Sequence, residues 1–341
     1  MFLIMKTSFA KKLIKIILSL MVGLTIVWVL YHKTDFEELW EIIESANFKI
    51  ILLSLIFGLF GNILRALRWE LFIHSLGYRP QRSSLIYATL GNFAVNFLLP
   101  RGGDIWRCGI VSKNENIPFA KTFETFLVDK FVEIISGLLI IIASIVLYVD
   151  FFYSYFRHNP HYGEALVQFF TSPWVLLALA LIVVVVVLSL TVFKTSSLIR
   201  KAISFFRMIK KDIKIIMQMK NKGRVFLYTL LIWINFYLYF YLCFFAFDFT
   251  KGLGAAAGLI VFAMSNIGIS VPVQGGIGAW HVMVISSLVI LGVSKEQANA
   301  FAGTVFTIQS AWIILCGLVG IFALPYVKRR KIRKKSFEAS R

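Results

Sequence analysis

Apolar runs alternate with short charged segments along almost the whole chain. Six of them, at 13–31, 50–74, 120–149, 174–193, 225–247 and 298–326, read as full membrane-spanning helices, because roughly 20 apolar residues cross the hydrocarbon layer. Two further stretches are apolar but interrupted. The first, 84–112, breaks within GNFAVNFLLPRGGDIWR, Gly91 to Arg107. The second, 252–291, breaks within PVQGGIGAWH, Pro272 to His281. A bilayer penalises backbone that is not hydrogen-bonded internally, so each break is either a loop at the surface or a broken helix sheltered by protein. The piece after the second break, 279–291, is about 20 Å long as a helix, too short for a core of about 30 Å, which favours re-entry over crossing.

The pattern therefore predicts an all-α, polytopic membrane protein with about six full spans plus two re-entrant helical hairpins, or eight crossings if both limbs of 252–291 traverse. An interrupted segment in each half suggests an inverted pseudo-repeat, the arrangement in which paired breaks mark a transport site. The chain is one membrane domain, 1–341. Its first half is 13–149, a basic amphipathic segment covers 194–224, the second half is 225–327 and a basic tail covers 328–341. Lys194 to Arg224 holds ten Lys or Arg against Asp212 alone, with apolar Ile199, Ile203, Phe206, Ile213 and Ile216 interleaved, as on a helix lying at a membrane surface. Basic residues before the first span, after the second and beyond the last put both termini in the cytoplasm of an inner, plasma membrane protein.

Composition strengthens this picture. Of 341 residues 59% are hydrophobic and 16% charged, against about 25% charged in soluble domains, and mean hydropathy is +0.80. The formal charge of +19 sits at the ends of apolar runs, as orientation signals and anionic-lipid contacts require, and not as a nucleic-acid surface. Cys108, Cys243 and Cys316 stand singly and read as small buried hydrophobes. No metal or cofactor motif and no catalytic signature is present, so the chain is not expected to be an enzyme; an intramembrane transferase using Asp129 or Glu133 as base is a minor alternative.

The candidate chemistry lies at the breaks. Pro100 stops the first limb, Gly102 and Gly103 permit unusual or close backbone, and Asp104 is a suitable N-cap for a helix starting near Ile105. Arg101 and Arg107 then flank a helix start, where uncapped amides and two guanidinium groups together suit an anion, with phosphate the natural guest. In the second break, Gly275, Gly276 and Gly278 open another helix, with Gln274 at its mouth and His281 one turn in. Arg65 and Arg68 share a helix face with Asn62, and Asp129 and Glu133 share another, so the acids are expected to hold the arginines in position. Asn96 is a polar membrane residue beside the first break, of the kind that joins helices.

At these two breaks the sequence resembles the membrane region of the lysylphosphatidylglycerol synthase/flippase family. The resemblance rests on Asn92 to Arg107, where Pro100, Gly103, Asp104 and Arg107 match a Pro-x-x-Gly-acid-x-x-Arg pattern, on Asp129 to Glu133, and on the Pro-x-x-Gly-Gly-hydrophobic-Gly element from Pro272 to Gly278. It departs where the family commonly has an acid after the second element and this chain has Trp280 and His281, and no soluble synthase domain follows before Arg341. What the resemblance implies is the lipid-translocating half: binding and flipping of an anionic phospholipid or lipid-linked intermediate. The alternative is a non-transporting scaffold that regulates a lipid or envelope enzyme through 194–224.

Overall fold

The computed structural model describes residues 36–98, 102–150, 221–271 and 273–339, with a few isolated positions between them, and the side chains beyond 327 are left aside. All regular structure among these residues is helical. In chain order it comprises α1 (Phe36–Glu44), α2 (Phe48–Ser75), α3 (Arg82–Leu98), α4 (Gly102–Glu115), α5 (Phe119–Leu147), α6 (Lys222–Tyr241), α7 (Asp248–Lys251), α8 (Gly254–Ser270), α9 (Ala279–Ile290) and α10 (Lys295–Ala339). Short 3₁₀ turns at Leu242–Ala246 and Gln274–Gly276 punctuate the second half.

Four helical stretches are long and apolar enough to cross a membrane: Phe48–Ser75, Phe119–Leu147, Lys222–Ala246 and Lys295–Val327. They coincide with four of the six spans read from hydropathy. Of the other two, 174–193 lies outside the described residues and 13–31 does so apart from Met21, Thr25 and Trp28, as does nearly all of the basic amphipathic segment 194–224. By contact the chain divides into two units, Met1–Ser144 with Lys220–Arg341, and Ile145–Met219.

Each interrupted segment is a pair of packed helices, α3 with α4 and α8 with α9. In the first half, α2 to α5 gather a core around Trp69, Ile73, Leu85, Cys108 and Phe126. In the second, Phe240, Phe244, Phe247 and Phe301 stack edge to face and tilted, with ring centroids 5.3 to 6.2 Å apart, in a core that also takes in Trp280. Without a hydrophobic drive between helices in lipid, such close packing and interhelical hydrogen bonds carry association.

Small residues set two crossings. On α10, a Cβ at Gly320 would lie 2.6 Å from the Tyr87 carbonyl oxygen and one at Gly317 2.8 Å from the Ala94 Cβ, so the backbones of α3 and α10 touch. On α8, a Cβ at Gly268 would lie 2.7 Å from the Trp280 Cα, which seats α8 against the start of α9. The Trp312 indole N–H also donates to the Leu55 carbonyl at 3.1 Å, pinning α10 to α2.

Candidate functional site

The first break turns on two asparagines. Asn92 and Asn96 are four apart on α3 and hydrogen-bond through their side chains at 3.2 Å. The Asn96 side-chain oxygen then accepts the Gly103 amide at 2.9 Å, so α3 caps the helix that follows it. Gly103 is helical and crammed: an added Cβ would sit 2.2 Å from the Asn92 carbonyl oxygen. This corrects the local expectation. The helix begins at Gly102, not near Ile105, and Asp104 occupies its first turn instead of the capping position; one of the amides expected to be uncapped is already engaged. Leu99 to Arg101 lie outside the described residues, so nothing is placed for Arg101.

One turn beyond Gly103, α4 delivers Arg107 into the first-half core, and α2 and α5 supply the rest of an ionic cluster. The Arg68 Nε donates to the Asp129 carboxylate at 2.8 Å, with both side chains at 0–1% exposure, and the same guanidinium reaches the Thr229 hydroxyl at 3.1 Å. Arg65 pairs with Glu133, which also accepts Lys130 at 3.1 Å. Arg68 is thus fully interior and not a residue snorkelling to the surface, and the expected pairing of α2 arginines with α5 acids holds. Arg107 fares less well. It reaches only the far oxygen of Asp129, at 3.7 Å, and its buried Nε finds no hydrogen-bond partner among the described residues. Its guanidinium lies between two rings, 4.8 Å from the Trp69 centroid and 4.7 Å from that of Phe126, while the Trp69 N–H is held by the Thr125 hydroxyl at 3.1 Å. Four cations, Arg65, Arg68, Arg107 and Lys130, share two carboxylates, with Asp104 in electrostatic reach of Arg65.

The second break is built differently. Gly275, Gly276 and Gly278 all take positive φ, at 62°, 75° and 83°, a region closed to most side chains. The start of α9 after Gly278 has no side-chain cap. His281 is buried with its ring 4.5 Å from Phe306 and 5.5 Å from Trp280, in an aromatic pocket. The Gln274 side chain is outside the described set.

The two breaks come together. A partly open cavity of about 440 Å³ is walled by the end of α3, at Phe93, Asn96 and Phe97, and by the second break from Ile269 to Ile277, and is closed by α6 and α10 at Tyr239 and Phe306. Of the sequence candidates, Asn96, Gly275 and Gly276 line it. Arg65, Arg68, Arg107, Asp129 and Glu133 form the separate ionic cluster, joined to the cavity by Phe93, whose ring centroid lies 5.8 Å from the Arg65 guanidinium carbon. Sequence reasoning did not single out Trp69, Phe93, Phe126, Thr229 or Tyr239. Such partners come from distant helices and carry no local signal, though an aromatic next to an intramembrane arginine, as in Arg68-Trp69, is a usable hint.

The match that decides the family is that of the lysylphosphatidylglycerol synthase TM region, which covers residues 16–330. The chain belongs to this family. A UPF0104 membrane protein of Methanocaldococcus jannaschii is 24% identical over 129 residues, 37% of this chain and 37% of the relative, so the aligned part spans little more than a third of that protein. No solved structure matches the chain. With four membrane-length apolar helices, membership in this family makes the protein an integral membrane protein.

Proposed function

We propose that the protein binds the head group of an anionic phospholipid or lipid-linked intermediate at the ionic cluster and moves it between leaflets of the plasma membrane, with both termini on the cytoplasmic side. The observation that carries this reading is Arg107. A guanidinium at 4% exposure, sharing its carboxylate with a better-placed arginine and otherwise facing two aromatic rings, is a buried charge only partly neutralised among the described residues, and such a charge is costly unless an anion completes it. A phosphate is the matching guest for such a fork. The family supports a role in membrane lipid chemistry, and the meeting of two broken hairpins at one cavity is the architecture that alternating access uses.

The test is transbilayer movement of fluorescent phosphatidylglycerol in liposomes holding the purified full-length chain. Wild type is expected to accelerate movement over empty liposomes, and Arg107→Gln, which keeps a polar side chain beside Asp129, to lower the protein-dependent rate at least tenfold. An unchanged rate in a folded Arg107→Gln variant would remove the reading.

A further inference from the structure

The cavity between the two breaks lies beside the ionic cluster but is chemically unlike it. No charged side chain lines it among the described residues. Its wall is largely apolar, with Phe93, Phe97, Ile269, Ile277, Phe306 and Ile314 among its side chains. Of its five hydroxyl or amide side chains, four already spend at least one donor inside the protein. Asn96 donates to Asn92 and accepts from Gly103. The Gln309 side chain donates to the Tyr239 backbone carbonyl at 2.8 Å, and the Tyr239 hydroxyl donates to the Gln309 backbone carbonyl at 3.2 Å. Ser270 donates to the Asn266 carbonyl at 2.8 Å. Ser310 is the fifth.

A head group needs convergent, unspent polar groups, and this wall offers few. An apolar wall of this kind gains dispersion contacts from an apolar guest, and about 440 Å³ falls within the roughly 300–1,000 Å³ of ordinary ligand cavities. We infer that the cavity holds a hydrocarbon chain of the lipid whose anionic head sits at the arginine cluster. This deepens the proposed function and rests on it for the identity of the head. Continuity argues for one lipid over two: Phe93 presents its ring to Arg65 and also lines the cavity, so head site and chain site share a wall. Lipid selection then combines a charge criterion at Arg65 and Arg107 with a chain criterion at Phe97, Phe306 and Ile314.

The experiment uses the full chain in detergent and native mass spectrometry with three probes: dioleoyl phosphatidylglycerol, dioleoyl phosphatidylcholine and deacylated glycerophosphoglycerol. Ile314→Trp fills the cavity. It is expected to cut retention of dioleoyl phosphatidylglycerol at least tenfold while binding of the deacylated head stays within twofold of wild type; Arg107→Gln is expected to weaken both. Ser310→Phe, which fills the same space from the same helix, replaces Ile314→Trp if that variant does not fold. Undiminished retention in the filled variant overturns the inference, as does equal loss of the deacylated head, which would make the cavity a head-group site. Wild type holding two lipids and the filled variant one would overturn the single-lipid assignment. Equal retention of both diacyl lipids by wild type, lost on filling, would support the chain site and overturn the anionic reading instead.

Discussion

At the first break Gly103 keeps helical angles, and its hydrogen side chain matters because Asn92 and Asn96 press against it. At the second break Gly275 has no neighbour closer than 3.8 Å to an added Cβ, and matters because its φ is 62°. The two sites share a sequence signature, a proline followed by paired glycines, but one uses glycine for close approach and the other for left-handed backbone. Their surroundings diverge accordingly. The tightly capped break presents Arg107 to a buried acid, while the open turn leads into rings around His281. Paired glycine breaks thus need not share the same chemical surroundings, and among the described residues the ionic cluster belongs to the first.

That contrast can be broken in graded ways. Asp129→Ala strips the carboxylate from Arg68 and Arg107 together, and breaking a buried pair from one side costs about 3–5 kcal/mol; denaturant unfolding in mixed micelles should show the loss, and a shift below 1 kcal/mol would mean that the arginines are neutralised by something else. Gly103→Ala forces backbone apart at the asparagine cap and should cost about 1–3 kcal/mol in the same measurement. Gly275→Asn should be the mildest, since asparagine tolerates left-handed angles and the position has room; a change within about 1 kcal/mol is expected. If the two glycine substitutions are equally harmful, the distinction between crowding and backbone angle fails.

Hydropathy made the spans legible because a bilayer allows few ways to bury backbone: 50–74 and 298–326 were readable to within a few residues of Phe48–Ser75 and Lys295–Val327. The breaks were legible for the same reason, through Pro100 and the glycines. The pairing of Arg65 and Arg68 with Glu133 and Asp129 was readable from helical spacing and the cost of intramembrane charge. Asp104 is the cap candidate that the adjacent chain offers, while the actual acceptor is the Asn96 side chain on the preceding helix. His281 stood out as a titratable group, yet its setting depends on Phe306, which belongs to α10. Such contacts arise from tertiary packing, which local pattern does not encode.

The crossing at Gly317 and Gly320 has a mechanical consequence. With main chain against main chain there is no cushion of side-chain atoms, so α3 cannot roll or slip past α10 without steric collision. The first limb of its hairpin is therefore a fixed post, and because Gly103 is packed just as closely against Asn92, the start of α4 that leads to Arg107 is seated on that post. Two glycines of α10 in this way fix the support on which an arginine in the chain's first third is seated.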